Sequence, residues 1–305
     1  VGLFGLGEQG ATVTVGTFDG VHLAHLAVLQ QVVDRASRAR RAGVVVTFDP
    51  HPLEVVRPER APRLLTTEVE RRALLAASGV EHALVLRFDA ALAALSPAEF
   101  VDTVLLGRCG LRELVIGYDH GFGRGRSGDV DTLRQIGAAR GFEVTVVQPV
   151  EVGGERVSSS AIREALEQGA LTRASGLLGR PYDLIGQVVP GARRGRSLGV
   201  PTINLEGGNA RKLLPPDGVY AVQVEWHGGR AGGMMNQGPR PTFGDPARSL
   251  EVHLFGVDAD LYGEWVRVEW VARLRDVRRF ETPDALKQQI ERDRAAALAA
   301  LNQRG

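Results

Sequence analysis

The sequence predicts an α/β chain in two parts: a parallel sheet covered by helices, then a small antiparallel β-barrel with a terminal helix. Three observations predict it. In the first half, short apolar runs rich in β-branched residues alternate with longer stretches whose apolar positions recur every three or four residues. From about residue 181 onward, glycine, proline and short β-runs dominate at the spacing of an antiparallel sheet or small barrel. A length of 305 residues gives each part room for its own core.

Five strands are expected in the first part: "TVTV" (12–15), "GVVVTF" (43–48), "HALVLRF" (82–88), "ELVIGY" (113–118) and "EVTVV" (143–147). Helical patterns separate them, at "HLAVLQQVVDRASRARR", "TEVERRALLAAS", "SPAEFVDTVLL" and "DVDTLRQIGAARG". The third opens on a Ser-Pro start signal. Strand–helix alternation of this kind implies a parallel sheet with helices on both faces, and ligands bind beyond the carboxyl ends of its strands. A further helix, "SSAIREALEQGAL", leads to a boundary placed near residue 180, giving parts 1–180 and 181–305. Beyond it "YDLIGQVV", "GVYAVQVEW", "GRAGGMMN", "LEVHLF" and "EWVRVEWVARL" read as short strands, and a helix over roughly 283–301 closes the chain.

Composition narrows the class without deciding the chemistry. Hydrophobic residues make up 44% and charged residues 24%, with a net charge of +1, so no basic footprint points to nucleic acid or to a membrane surface. Cys109 is the single cysteine, which excludes an intrachain disulfide and a cysteine metal site. No signal-peptide pattern and no apolar run of membrane-spanning length is visible, so a soluble cytoplasmic protein is expected.

The stretch "GTFDGVHLAH" (16–25) follows the first strand and sets His22 and His25 three positions apart at the start of a helix. By spacing alone the pair serves as surface residues or as metal ligands, and no "HExxH" frame supplies a third ligand. A helix N-terminus also favours anions, through free N–H groups and the helix dipole. The segment "RVSSSAIR" (156–163) puts Ser158, Ser159 and Ser160 before another helix with Arg163 one turn in, as an N-cap or as a triphosphate clamp. "VTFDPHP" (46–52) and the glycine-rich "GYDHGFGRGRSGD" (117–129) follow the second and fourth strands. The histidine segment resembles the H-x-G-H signature of the nucleotidyltransferase superfamily. The four segments in this order resemble the bacterial bifunctional riboflavin kinase/FMN adenylyltransferase family, also called FAD synthetase.

The second half carries the same resemblance. "GQVVPGARRGRSLGVPTINL" (186–205) is similar to the flavokinase signature, a glycine-rich flap followed by Pro-Thr-x-Asn. "GVYAV" (218–222), "MMNQGPRPTF" (234–243), "LEVHLF" (250–255) and "ARLRDVRRF" (272–280) follow in the family's order.

The resemblance implies a Rossmann-like nucleotidyltransferase domain joined to a riboflavin kinase barrel. It implies phosphorylation of riboflavin by ATP to FMN, then adenylyl transfer from ATP to FMN, giving FAD and pyrophosphate. Its partners are these small molecules, with Mg2+ as the metal. For the transferase it implies His22 and His25 as catalytic, and Gly16, Phe18, Asp19, Ser159, Ser160 and Arg163 as nucleotide-binding. For the kinase it implies Glu251 as the catalytic base and Thr202 and Asn204 at the metal. Gly191, Gly195, Arg196, Gly199, Pro201 and Arg275 are implied at the flavin and ATP. Thr202 and Asn204 are two apart, so in a strand they point to one side.

The chain departs from the family pattern at four places. Ala24 stands where glycine is usual, His120 where an aromatic ring is usual, Gln237 where isoleucine is usual, and Val200 where Phe or Tyr is common. Ala24 and His120 motivate the alternative of a riboflavin kinase with a weakened adenylyltransferase domain.

Overall fold

Five parallel strands form the sheet of the first half, in the order β3-β2-β1-β4-β5. They are β1 (Ala11–Val15), β2 (Ala42–Asp49), β3 (His82–Arg87), β4 (Leu111–Gly117) and β5 (Glu143–Val147). The computed structural model describes residues 9–118, 121, 128–190, 201–207, 211–239, 248–257 and 259–303. The chain divides into two compact units, Val1–Ser159 and Ser160–Gly305.

The helices of the first unit are α1 (Leu23–Ala39), α2 (Pro52–Val56), α3 (Glu68–Ala77), α4 (Ala90–Ala94), α5 (Pro97–Phe100) and α6 (Val130–Arg140). Their ends follow from sequence. Thr67 and Glu70 form a reciprocal capping box on α3, and Ser96 and Glu99 form another on α5 with Pro97 in its first turn. Gly141, at φ 76°, ends α6 in the left-handed conformation that glycine adopts without strain. The expected helix over 96–106 is in fact a short α-turn continued by a π-helical stretch, Val101–Leu106.

Both sheet faces are covered, which explains the unbroken apolar run of β2. Phe100, Val104, Leu105 and Leu133 pack with Val13, Val46 and Ile116 on one face. Leu29 of α1 and Leu75 of α3 pack with Val45, Phe18 and Val21 on the other. The chain runs from central β1 outward to β3 and returns through β4 to β5, so the switch point lies between β1 and β4. Ligand crevices form at the carboxyl ends of such strands.

A short hairpin follows, β6 (Glu151–Val152) with β7 (Glu155–Arg156). The expected helix "SSAIREALEQGAL" is α7 (Ser159–Glu167), which ends before Gly169 at φ 72°, and a second helix that the sequence reasoning does not mark, α8 (Leu171–Leu178), follows it. The barrel is built from β8 (Asp183–Val189), β9 (Ile203–Gly207), β10 (Gly218–Trp226), β11 (Gly229–Pro239), β12 (Arg248–Leu254) and β13 (Trp265–Arg275). It closes in the order β10-β11-β12-β9-β8-β13, every neighbouring pair antiparallel.

Trp270 and Tyr182 stack in its interior, ring centroids 5.6 Å apart. The Nζ of Lys212 lies 4.6 Å from the Tyr182 ring centroid, so this buried cation sits on an aromatic face. The closing helix, α9 (Pro283–Asn302), begins at the Thr282 cap and packs Ala297 against Ala221 and Met234 on the outer barrel wall. Gly232 faces the same helix: a Cβ there would stand 2.5 Å from a terminal methyl of Leu301, which would have to rotate away.

Candidate active sites

The turn after β1 is held by groups that the sequence does not visibly pair. The Gly16 N–H donates to the Val46 carbonyl at 3.0 Å, and the Thr47 hydroxyl donates to the Thr17 carbonyl at 3.1 Å. A Cβ at Gly16 would stand 3.1 Å from the Phe18 ring, close enough that the ring would have to give by a few tenths of an ångström. Phe18 and Val21 both have positive φ, 48° and 37°, conformations that cost energy in residues with a side chain. Their burial with Leu29 and Leu75 offsets that cost.

Asp19 turns inward and is 1% exposed. Its carboxylate accepts from the Leu65 N–H, the Thr66 N–H at 2.9 Å and the Thr66 hydroxyl at 3.1 Å. That hydroxyl also accepts from the Gly20 N–H at 3.0 Å. In this structure Asp19 fixes the turn to the loop before α3. From α3, buried Arg71 donates to the Phe48 carbonyl at 2.8 Å and reaches Asp49 at 3.5 Å, which fastens the end of β2. Neither Thr66 nor Arg71 stood out in the sequence, since each acts through partners distant in the chain.

His22 is the N-cap of α1. Its Nδ1 accepts from the His25 N–H at 3.4 Å, so in the neutral ring Nε2 carries the proton. That Nε2 lies 3.2 Å from Ser159 Oγ, and the Ser159 hydroxyl donates to the Asp19 carbonyl at 3.2 Å. Both nitrogens of His22 are thus engaged in holding the turn. His25, half-buried in the first turn of α1, stacks on His22 at 3.6 Å between centroids and leans on Phe18 at 5.1 Å. Ala24 stands between the two histidines, half-buried.

His51 caps α2 after the cis Asp49–Pro50 peptide, its Nδ1 accepting from the Leu53 N–H at 3.2 Å. Ser160 and Arg163 lie on α7 and belong to the second unit, Arg163 one turn beyond Ser159.

A cleft of about 550 Å3 opens past β4 and β5, lined by Tyr118, Asp129, Val130, Asp131, Arg134, Val146 and Gln148. Asp129 caps α6 by accepting from the Thr132 N–H at 2.9 Å, which holds its carboxyl below the ordinary carboxylate range. The Arg156 guanidinium stands 5.8 Å over the exposed Tyr118 ring. His120 lies outside the described residues.

In the barrel, strand register builds a polar row. Glu251 of β12 pairs with Asn236 of β11 on one side and with Asn204 of β9 on the other. Directly opposed residues share a sheet face, so one carboxylate stands between two amides. The row continues through Val219 to Arg275. It lies on the opposite face of the strands from the buried residues Met235, Gln237, Leu250 and Val252, with Asn236 exposed, Glu251 half-buried and Asn204 buried. Thr202 lies just before β9, two residues ahead of Asn204. Asn236 was not singled out by sequence reasoning, since only the pairing places it beside Glu251.

Gln237, at the isoleucine position, accounts for its own burial. Its Oε1 accepts from the Trp270 indole N–H at 3.2 Å, and its Nε2 donates to the Pro215 carbonyl at 2.5 Å. Arg275 forms a bidentate ion pair with buried Asp293 of α9, at 3.0 and 2.7 Å, and donates to the Asp276 carbonyl at 2.8 Å. Its guanidinium carbon stands 5.6 Å from the centroid of the Phe280 ring. Gly191, Gly195, Arg196, Gly199 and Val200 lie outside the described residues, while Pro201 stands at the lead-in to β9.

Comparison with known proteins fits both halves. The FAD synthetase family model matches residues 7–161 and the riboflavin kinase family model matches residues 178–301. The bifunctional riboflavin kinase/FMN adenylyltransferase of Escherichia coli (strain K12) is 39% identical over 291 residues, covering 95% of this chain and 92% of that protein. The same-named protein of Pseudomonas fluorescens is 40% identical over 293 residues, covering 96% and 93%. A crystal structure described as a macrolide-efflux protein from Streptococcus pneumoniae superposes with a TM-score of 0.86 at 32% identity, covering 97% of this chain and 96% of that one. No helix among the described residues is long and apolar enough to cross a membrane. With relatives this similar across nearly its whole length, the chain belongs to the bifunctional riboflavin kinase/FMN adenylyltransferase family.

Proposed function

We propose that the chain makes FAD in two steps, with separate phosphate-handling sites in its two halves and a functional division near residue 180. It phosphorylates riboflavin with ATP to FMN, then transfers AMP from ATP to FMN with release of pyrophosphate. Both family models and the bifunctional relatives support the pair of activities over a kinase with a weakened second domain.

The observation that carries the kinase assignment is the row Asn204–Glu251–Asn236. Glu251 takes the proton of the terminal ribityl hydroxyl as that oxygen attacks the γ-phosphorus, and the bond to the β-bridging oxygen breaks to leave ADP. Thr202 and Asn204 supply a hydroxyl and an amide oxygen on one side of β9, hard donors that fit Mg2+. Among the described residues no cluster of three His, Cys, Asp or Glu side chains could hold a metal by itself. Magnesium in phosphoryl-transfer sites is commonly held by one or two protein oxygens plus substrate phosphates. When bound, Mg2+ neutralises charge on the transferring phosphoryl group. Pro201, Arg275 and the flap glycines Gly191, Gly195 and Gly199 with Arg196 complete the flavin and ATP site in this reading.

In the transferase half an FMN phosphate oxygen attacks the α-phosphorus of ATP. His22 and Ser159 keep the turn in shape, and His25 at the start of α1 offers its imidazole to the phosphates. Gly16 and Phe18 shape the nucleotide's approach, and Ser160 and Arg163 bind the triphosphate. A cytoplasmic location, with neither nucleic acid nor membrane as a partner, fits the near-neutral charge.

The test supplies riboflavin, ATP and magnesium and separates the flavins. The wild-type chain yields FAD. Glu251→Gln loses FMN formation by about a hundredfold or more, the scale of one general base, yet converts added FMN to FAD. His25→Ala does the reverse. Accumulation of FMN with no FAD at high enzyme concentration overturns the bifunctional reading, and Ala24→Gly would then identify crowding by restoring FAD.

A further inference from the structure

β12 carries a second polar side chain on the Glu251 face. His253 lies two residues beyond Glu251, so both project from the same side of the strand. Its Nδ1 stands 2.8 Å from the main-chain carbonyl of Pro201. A carbonyl only accepts, so Nδ1 carries the proton and donates.

The place of this bond in the ladder gives it meaning. The pairing of β12 with β9 comprises Leu250 with Leu205, Glu251 with Asn204 and Val252 with Ile203, and stops there. The next step would set His253 against Thr202. The His253 side chain instead takes over from the backbone and holds the chain one residue earlier, at Pro201, which has no N–H of its own to pair. The imidazole is braced for this. It meets Phe255 edge-on, with centroids 5.7 Å apart at 71°, and the Arg294 guanidinium of α9 stands 5.8 Å over that ring. Met234, packed under α9, pairs with His253 across the ladder.

We infer that His253 is a positioning residue for riboflavin phosphorylation, holding the Pro201–Thr202 segment against β12 where the backbone ladder has ended. The inference rests on the reading that Thr202, Asn204 and Glu251 form the kinase site. Without the bond, the Thr202 hydroxyl loses its fixed distance from Glu251, while Glu251 itself stays in the ladder.

The test uses the full chain and two variants, His253→Ala and His253→Asn; the asparagine amide places an N–H near the position of Nδ1. Three measurements are made: hydrogen exchange of the peptide spanning 201–207, kcat and KM for ATP in riboflavin phosphorylation, and conversion of added FMN to FAD. In His253→Ala, exchange in that peptide speeds up and KM for ATP rises about two- to tenfold, the range one side-chain hydrogen bond contributes. kcat changes less, adenylyl transfer is unchanged, and His253→Asn returns both altered quantities toward wild type. Unchanged exchange and KM in His253→Ala overturn the inference. If His253→Ala also loses adenylyl transfer, His253→Asn decides: wild-type KM and exchange support the role, and raised values overturn it. Glu251→Gln keeps the two readings apart. If it phosphorylates riboflavin normally, the kinase site lies elsewhere, while the exchange result still reports whether His253 holds the segment.

Discussion

Ser159 Oγ lies 3.2 Å from His22 Nε2, joining residues 137 positions apart into one chain of hydrogen bonds that ends on the Asp19 carbonyl. The serine that sequence reasoning assigned to triphosphate binding is also the acceptor that fixes the His22 ring. Ser159→Ala removes that acceptor and frees the N-cap histidine to rotate. FMN adenylylation is expected to fall about tenfold, consistent with loss of one well-placed hydrogen bond, with riboflavin phosphorylation unaffected. Steady-state assays of the two reactions on one preparation check it.

Asp19 makes a second prediction. Its carboxylate is the common acceptor for the Leu65 and Thr66 N–H groups and the Thr66 hydroxyl. Asp19→Ala leaves these buried donors without that acceptor, at a cost of about 3 kcal/mol. Urea denaturation should show a lower midpoint with an unchanged slope. A variant as stable as wild type would mean that the turn is held by other contacts.

The Arg275–Asp293 pair makes a third. Asp293→Asn removes the charge that answers a largely buried guanidinium, and a loss of roughly 2–4 kcal/mol is expected. Kinase activity should fall with it, because the same arginine terminates the row containing Glu251. Arg275→Lys should not restore the wild-type value, since an ammonium cannot make the two-pronged contact with Asp293. Thermal unfolding and riboflavin turnover of the variants measure both effects.

Cys109 gives a pH dependence. It is buried beneath β4, and burial pushes its thiol up from 9.0 to about 11, a nearby Arg108 charge opposing this. The unfolded chain therefore loses this proton at lower pH than the folded one. Stability is unaffected below about 9 and declines as pH rises from there to about 11, by roughly 2 kcal/mol. Cys109→Ala should flatten that slope. In the native state the thiol should react with an alkylating reagent far more slowly than after denaturation.

Local signals carried much of the fold. β5 occupies Glu143–Val147, as its β-branched run indicates, and the Thr67–Glu70 box starts α3 where the pattern begins. What local signals missed is mostly non-local. Nothing in "GTFDGVHLAH" reveals that Asp19 points into the protein, because its partners are the loop at 65–66. Asn236 and Glu251 become neighbours only through strand register, and so do Glu251 and Asn204. The end of α7 falls at Glu167, just before left-handed Gly169, although the expected helix runs on to Leu171, and α8 beyond it is not marked at all. Gln237 looked like a departure until the barrel gave its amide the Trp270 indole and the Pro215 carbonyl.

The closure of the barrel has a consequence for how this half can change over time. A sheet with open edges absorbs a gained or lost residue by sliding one strand past another. Here each of the six strands has neighbours on both sides, so no outer strand is left to slide. One residue deleted inside β9 would turn Asn204 to the opposite face and carry it away from Glu251. Length variation among descendants of this chain should therefore gather in the connections between strands, while β9, β11 and β12 keep their residue counts.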